Sequence, residues 1–239
     1  MSRSERQLAD ATWPEVASGG ILLVPVGSLE QHGPHLPLDT DAVIAQAVAG
    51  EVAERLVGLG GPADERAGVW VAPPVVYGSS GEHQGFPGTV SIGSEVLRVT
   101  LLELVRSART WAARVVVVNG HGGNVHALSA AVEQLRCEGH DAEWHPCRTE
   151  EVDLHAGRTE TSLMLHLQPW RVRLHLAEPG DLRPLPQILP LMVASGVRAV
   201  SENGVLGDPT GASAAEGRAV LLEMADHVLR AVMAEGVAR

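Results

Sequence analysis

Three short polar segments hold the residues best equipped for chemistry. The first, GSLEQHGPHLPLDTD at 27–41, places Glu30 and His32 two apart, so an extended chain points both to one side. Asp39 and Asp41 stand where the next helix should begin, and a helix N-terminus favours a carboxylate. Glu, His and Asp together form the O/N donor set suited to zinc, iron or manganese. The competing reading makes Asp39 or Asp41 a helix cap and His32 a surface loop residue. The second segment, NGHGGN at 119–124, sets His121 between glycines, which leave its imidazole unobstructed. It reads either as a ligand-bearing strand end or as a tight turn. The third, DLHAGRTETS at 153–162, offers His155 as a mobile-loop imidazole for proton transfer. In the same segment Glu160 is either a metal carboxylate or an acid placed in a first helical turn.

Other candidates are weaker. His83, in GEHQGFPG at 81–88, is placed to line a site. Tyr77 and Phe86 flank that stretch and either line a substrate mouth or anchor the loop by packing. His35 and His126 lie near these segments, each beside a histidine better placed for ligation, and the remaining histidines read as surface or satisfied core residues.

These segments need a scaffold. Ile21 to Val26 is a continuous apolar run, as expected of a strand buried on both faces. Val69 to Ala72, Arg114 to Val118 and Ala142 to His145 are further strand candidates. Helical spacing runs from Asp41, from Ser94 to Ala113 (Val96, Leu97, Leu101, Leu104, Val105, Ala108), from Asn124 to Cys137 and from Glu160 to Leu167. Gly58 to Gly68 reads as a break, and Leu182 to Pro190, with three prolines, as irregular. Ser213 and Glu216 predict a capping box for a last helix reaching about Glu235. Strand and helix alternate, which predicts an α/β, three-layer αβα sandwich with a largely parallel sheet, in one domain over 1–239. In such sheets ligands bind beyond the carboxyl ends of the strands, where the three segments lie.

Composition excludes several classes. The 239 residues contain no Lys, one Tyr, one Phe and 11 His, with a formal net charge of -11. Absent Lys removes Schiff-base lysines and P-loops, and the acidity argues against nucleic acid as a partner. The two cysteines make no disulfide framework. The first residues lack an apolar signal core, and no apolar run approaches a membrane span, so the expected location is cytoplasmic and no membrane partner is expected.

Taken together, VPVGSLEQHGPHLPLDTD, EHQGFPGT, VVNGHGGN, HAGRTETS and GDPTGASAAEG, in this order, resemble the creatininase family of binuclear metal amidohydrolases. The resemblance spans about Gly20 to Gly217. It implies a homo-oligomer and two divalent metal ions per subunit, Zn2+, Fe2+ or Mn2+. By position, Glu30, Asp41 and His121 would hold one ion, and His32 with the bridging Asp41 the second. Creatininase proper carries a ligand Glu where this chain has Gly123, so Glu160 is expected to complete the second shell, and His155 matches the family's active-site histidine. A metal-bridged hydroxide would attack the amide carbonyl, with His155 and Glu160 as the catalytic side chains. His83, Gly122 and Gly123 are the expected substrate contacts. Creatininase proper also has aromatic residues at the positions of Gly122 and Glu151, so walls for a small flat ring are missing. The YGSSGEHQGFPGTVSIG stretch most resembles the family branch of mycofactocin maturation, which hydrolyses a modified precursor peptide and releases its C-terminal Val-Tyr-derived dipeptide. The alternatives are a small-molecule amidohydrolase acting on a creatinine-like or formamide substrate, and a metal-free binding module.

Overall fold

A computed structural model describes residues 7–59, 68–149 and 153–237. Glu151 and most of the 58–68 break lie outside them. Four strands, β1 (Ile21–Val26), β2 (Val69–Val71), β3 (Arg114–Asn119) and β4 (Ala142–Pro146), form an all-parallel sheet in the order β2-β1-β3-β4. Six α-helices are described: α1 (Thr40–Gly58), α2 (Gly93–Ala108), α3 (Val125–Cys137), α4 (Arg158–Leu167), α5 (Leu185–Ser195) and α6 (Ala214–Val237).

The continuous apolar runs of β1 and β3 are explained by helices on both faces. Leu22, Val24, Val26, Val115 and Val117 pack with α2 and α3 through Leu97, Leu101, Val105, Leu128 and Leu135. The alternate residues Leu23, Val116 and Val118 pack with α1, α4 and α6 through Val48, Val52, Leu163, Leu221 and Val228. The result is the expected three-layer αβα sandwich. Each fully buried Val or Leu contributes about 1.5–3 kcal/mol, so the sheet centre is a rigid base for what its ends carry. Pro25 sits in β1 without breaking the ladder. Its carbonyl accepts from Val75 N–H, so its missing donor faces a side where β2 has already ended.

Several local expectations need correction. α2 ends at Ala108, not Ala113, because the chain turns through 109–111 to enter β3, and Val96 is exposed. The segment read as irregular is largely helical. Pro186 falls in the first turn of α5, where its N–H would be unbonded anyway, and Pro190 removes one bond only. Gly196 then stops α5 with φ 78° and donates to Met192 O at 2.8 Å. At α6 only half of the capping box forms. Glu216 N–H donates to Ser213 Oγ at 3.2 Å, whereas the Glu216 carboxylate is taken by Arg158. No described helix is long and apolar enough to cross a membrane.

Candidate metal centre

The polar segments meet beyond the carboxyl ends of β1 and β3. At Gly27 a Cβ would collide with the backbone of Asp41 and Ala42, so glycine there lets the first turn of α1 press against the end of β1. That contact carries Asp41 inward, where it is buried. Asp39 turns outward and pairs with Arg171 at 2.6 Å; it neither caps α1 nor joins the site. Two asparagines tie the loops together. Asn124 donates to Gly27 O at 2.9 Å and to Asn119 Oδ1 at 3.1 Å, and accepts from Ser79 N–H at 2.8 Å. Asn119 donates to His121 O at 2.7 Å.

Three groups of donor atoms have their members within 4.8 Å of one another: Glu30, Asp41 and His121; His32, Asp41 and Glu160; Glu30, His32 and His155. Asp41 belongs to the first two. Glu30, His32, Asp41, His83, His121 and His155 are all buried.

The His32 and His121 rings have acceptors on both edges, and in its neutral form each donates to the carbonyl beside it. His32 donates from Nδ1 to the Glu30 carbonyl at 3.1 Å, so Nε2 presents its lone pair to Asp41 Oδ1 at 3.0 Å. His121 Nε2 faces the Ser79 carbonyl at 3.2 Å, so Nδ1 presents its lone pair to Glu30 Oε1 at 3.2 Å and Asp41 Oδ2 at 3.4 Å. Both Glu30 carboxylate oxygens and Asp41 Oδ2 are buried without a hydrogen-bond partner. Lone pairs converging on ionised carboxylates in a dry interior are repulsive unless a cation lies between them or the rings take up protons. The donor set therefore fits divalent metal ions.

The titration shifts have the same origin. Burial opposes charge on His32, yet Asp41, Glu160 and Glu30 push its pKa up to about 10. Burial opposes charge on His121 too, and Glu30, Glu82 and Asp41 again raise it. Burial raises Asp41 to about 6, helped by Glu30. Burial would raise Glu30 as well, but His121, His83 and His155 together outweigh it and hold the carboxyl well below the usual range. Burial, then His155, lowers His83 to about 2, while burial, then His32, lowers His155. Without metal, protons on His32 and His121 are what offset the carboxylates.

His155 is not on a mobile loop. It is buried, bridged to Leu206 through its backbone, and donates from Nε2 to the Gln31 carbonyl at 2.7 Å. The next residue, Ala156, holds a left-handed backbone at φ 53°, and its N–H donates to Glu160 Oε2 at 2.6 Å. Glu160 lies in the first turn of α4, with Oε2 3.9 Å from His32 Nε2. His83 and Gly122 line a cavity of about 780 Å³, whose other wall is Leu154, Leu185, Leu189, Met192 and Leu206. Gly123 touches the same cavity but is closely packed from behind. Phe86 packs with Ile188 and Leu206 under the Arg198 guanidinium, the anchoring arrangement, while Tyr77 is 45% exposed.

Two partners went unrecognised in the sequence. Gln31 is buried and donates to Gly204 O at 3.0 Å and His83 Nδ1 at 2.8 Å. Glu82 Oε1 lies 3.3 Å from His121 Nε2. Their one sequence signal was adjacency to Glu30, His32 and His83.

A family model described as creatininase, creatinine amidohydrolase, matches residues 9–232. A mycofactocin precursor peptide peptidase of Mycolicibacterium smegmatis is 57% identical over 214 residues, covering 88% of this chain and 85% of the relative. Among solved structures, one titled creatininase Mn superposes with a TM-score of 0.74 at 28% identity, covering 96% of this chain and 98% of that one. A mutant creatininase of Zn-Zn type superposes at 0.73 and 26% identity, covering 95% and 97%. With matching fold, family model and relatives, the chain belongs to the creatininase family and is an enzyme.

Proposed function

We propose that this chain is a binuclear metal-dependent peptidase that hydrolyses the modified mycofactocin precursor peptide and releases its C-terminal Val-Tyr-derived dipeptide. The observation that carries the chemistry is the convergence of imidazole lone pairs on Glu30 and Asp41, carboxylates that have no fixed cation beside them. The relatives' names supply the substrate. A partly apolar cavity of about 780 Å³ suits a peptide end better than a small ring.

In this reading Glu30, Asp41 and His121 hold one divalent ion, and His32, Asp41 and Glu160 the other. The ions are Mn2+, Zn2+ or Fe2+, and when bound they supply an acidified water as nucleophile and a Lewis acid for the carbonyl. Burial and its neighbour His32 keep His155 neutral. Its Nδ1 accepts the proton lost by the attacking water and passes it to the leaving nitrogen. Glu160, besides its ligand role, ties down the strained Ala156 backbone and so aims His155. His83 and Gly122 border the bound peptide, with the apolar side of α5 opposite, and Gly123 lies behind them. The proposal extends to one domain over the chain, a cytoplasmic location and assembly into a homo-oligomer. Leu182, Leu191 and Val193, exposed on and beside α5, suit that assembly.

The test is to incubate metal-replete protein with the modified precursor peptide and record product masses. Appearance of the dipeptide, abolished by chelation, is expected. Turnover of a creatinine-like or formamide compound without peptide cleavage would make the chain a small-molecule amidohydrolase. Absence of both metal and turnover would make it a binding module.

A further inference from the structure

The position at which creatininase proper carries a ligand glutamate is Gly123 here, yet the space is not empty of carboxylate. A Cβ built on Gly123 would stand 2.5 Å from Glu82 Oε1 and 2.5 Å from His121 Nε2, and closer still to the Ser79 carbonyl. Glu82 reaches this space from the 3-10 turn Gly81–His83 on a different loop. Its side chain is 29% exposed and borders the cavity, and its Oε1 lies 3.3 Å from His121 Nε2.

His121 therefore has two unlike edges. Nδ1 faces Glu30 and Asp41, and Nε2 faces two acceptors, the Ser79 carbonyl and the Glu82 carboxylate. An imidazole between acceptors on one edge and a cation site on the other keeps its proton on the acceptor edge. A carboxylate there also raises the basicity of the ligating nitrogen. A carbonyl alone orients the ring, and the carboxylate adds the charge.

We propose that Glu82 is a positioning residue for His121, seated in the space left by the missing side chain of Gly123, which holds the proton on Nε2 and keeps Nδ1 free for a divalent ion. This rests on the metal-centre reading above. Gly123 leaves room for the whole arrangement, since a Cβ there would meet the Ser79 carbonyl and the His121 ring as well as the Glu82 carboxylate.

The test uses the full chain stripped of metal and titrated with Mn2+ or Zn2+ against a chelating competitor. Glu82→Ala should weaken binding about 10- to 100-fold, as outer-shell carboxylates do. Saturating Mn2+ should restore most of its turnover, and its ion-free melting temperature should match that of the parent. Glu82→Gln, which keeps an acceptor and loses the charge, should fall between the two. With Zn2+ bound, long-range 1H–15N spectra of the parent should show the His121 proton on Nε2, and Glu82→Ala should lose that signature. Unchanged affinity and unchanged ring signals in Glu82→Ala would overturn the proposal. A parent chain that binds no ion would overturn the metal-centre reading instead.

Discussion

The sheet buries carboxylates at both ends, and the two ends treat them differently. Near the amino ends of β3 and β4, Glu143 is buried beside the Arg114 guanidinium at 2.5 Å, with His145 at 3.1 Å. Arg114 also lies 3.8 Å from Asp141 and donates to Val232 O of α6 at 2.8 Å. That cluster contains its own permanent cation. Beyond the carboxyl ends of β1 and β3, no arginine pairs with Glu30, Asp41 or Glu160 among the described residues, and the chain has no lysine. Apart from the Ala156 N–H on Glu160, the groups paired with these carboxylates among the described residues are imidazoles, through edges that are lone pairs unless protonated. A buried carboxylate matched to arginine has its counter-charge fixed within the fold. One matched only to imidazoles leaves a place for a cation that can come and go.

The comparison breaks first at Asp41. Asp41→Ala should reduce peptide hydrolysis to background and leave the purified protein without bound metal, while the chain still folds; retained activity would contradict a shared ligand. His155→Ala should keep metal content and lose about 10²- to 10⁴-fold in turnover, measured as kcat on the modified peptide; a parallel loss of metal would move His155 into the ligand set. Arg114→Ala should do the opposite of Asp41→Ala. Removing one partner of a buried pair costs about 3–5 kcal/mol, read by denaturant unfolding, and metal affinity of the folded protein should be unchanged. The smallest effect sharpens the comparison most. Adding Mn2+ at about 100 times its Kd stabilises a binding-competent chain by about 2.7 kcal/mol. The same gain should appear in Arg114→Ala and be absent from Asp41→Ala, by thermal unfolding with and without the ion.

Much of this was legible in the sequence, for physical reasons that differ by region. The apolar runs at 21–26 and 115–118 announce strands covered on both faces because every residue must suit an apolar neighbour. The candidate site positions Glu30, His32, Asp41, His121, His155 and Glu160 stand out because several ordered blocks share loops at strand ends. Glu82 and Gln31 were not, since each acts on a residue from another loop, and no spacing reveals that. The buried seat of His155 depends on the bridge to Leu206, fifty-one positions away. The helix α5 was hidden because the penalty for proline depends on its place in the turn, and Pro186 stands where it costs least. Ser213 and Glu216 had the spacing of a full box, but Arg158 claims the glutamate.

The central claim is that the carboxyl end of the sheet is built around exchangeable cations. The direct measurement is metal content of the chain purified without chelator, by mass spectrometry of the elements, alongside the Asp41→Ala variant. The account predicts two divalent ions per chain, lost in that variant. A parent chain with no bound metal, and with no gain in hydrolysis on adding Mn2+, Zn2+ or Fe2+, would contradict it.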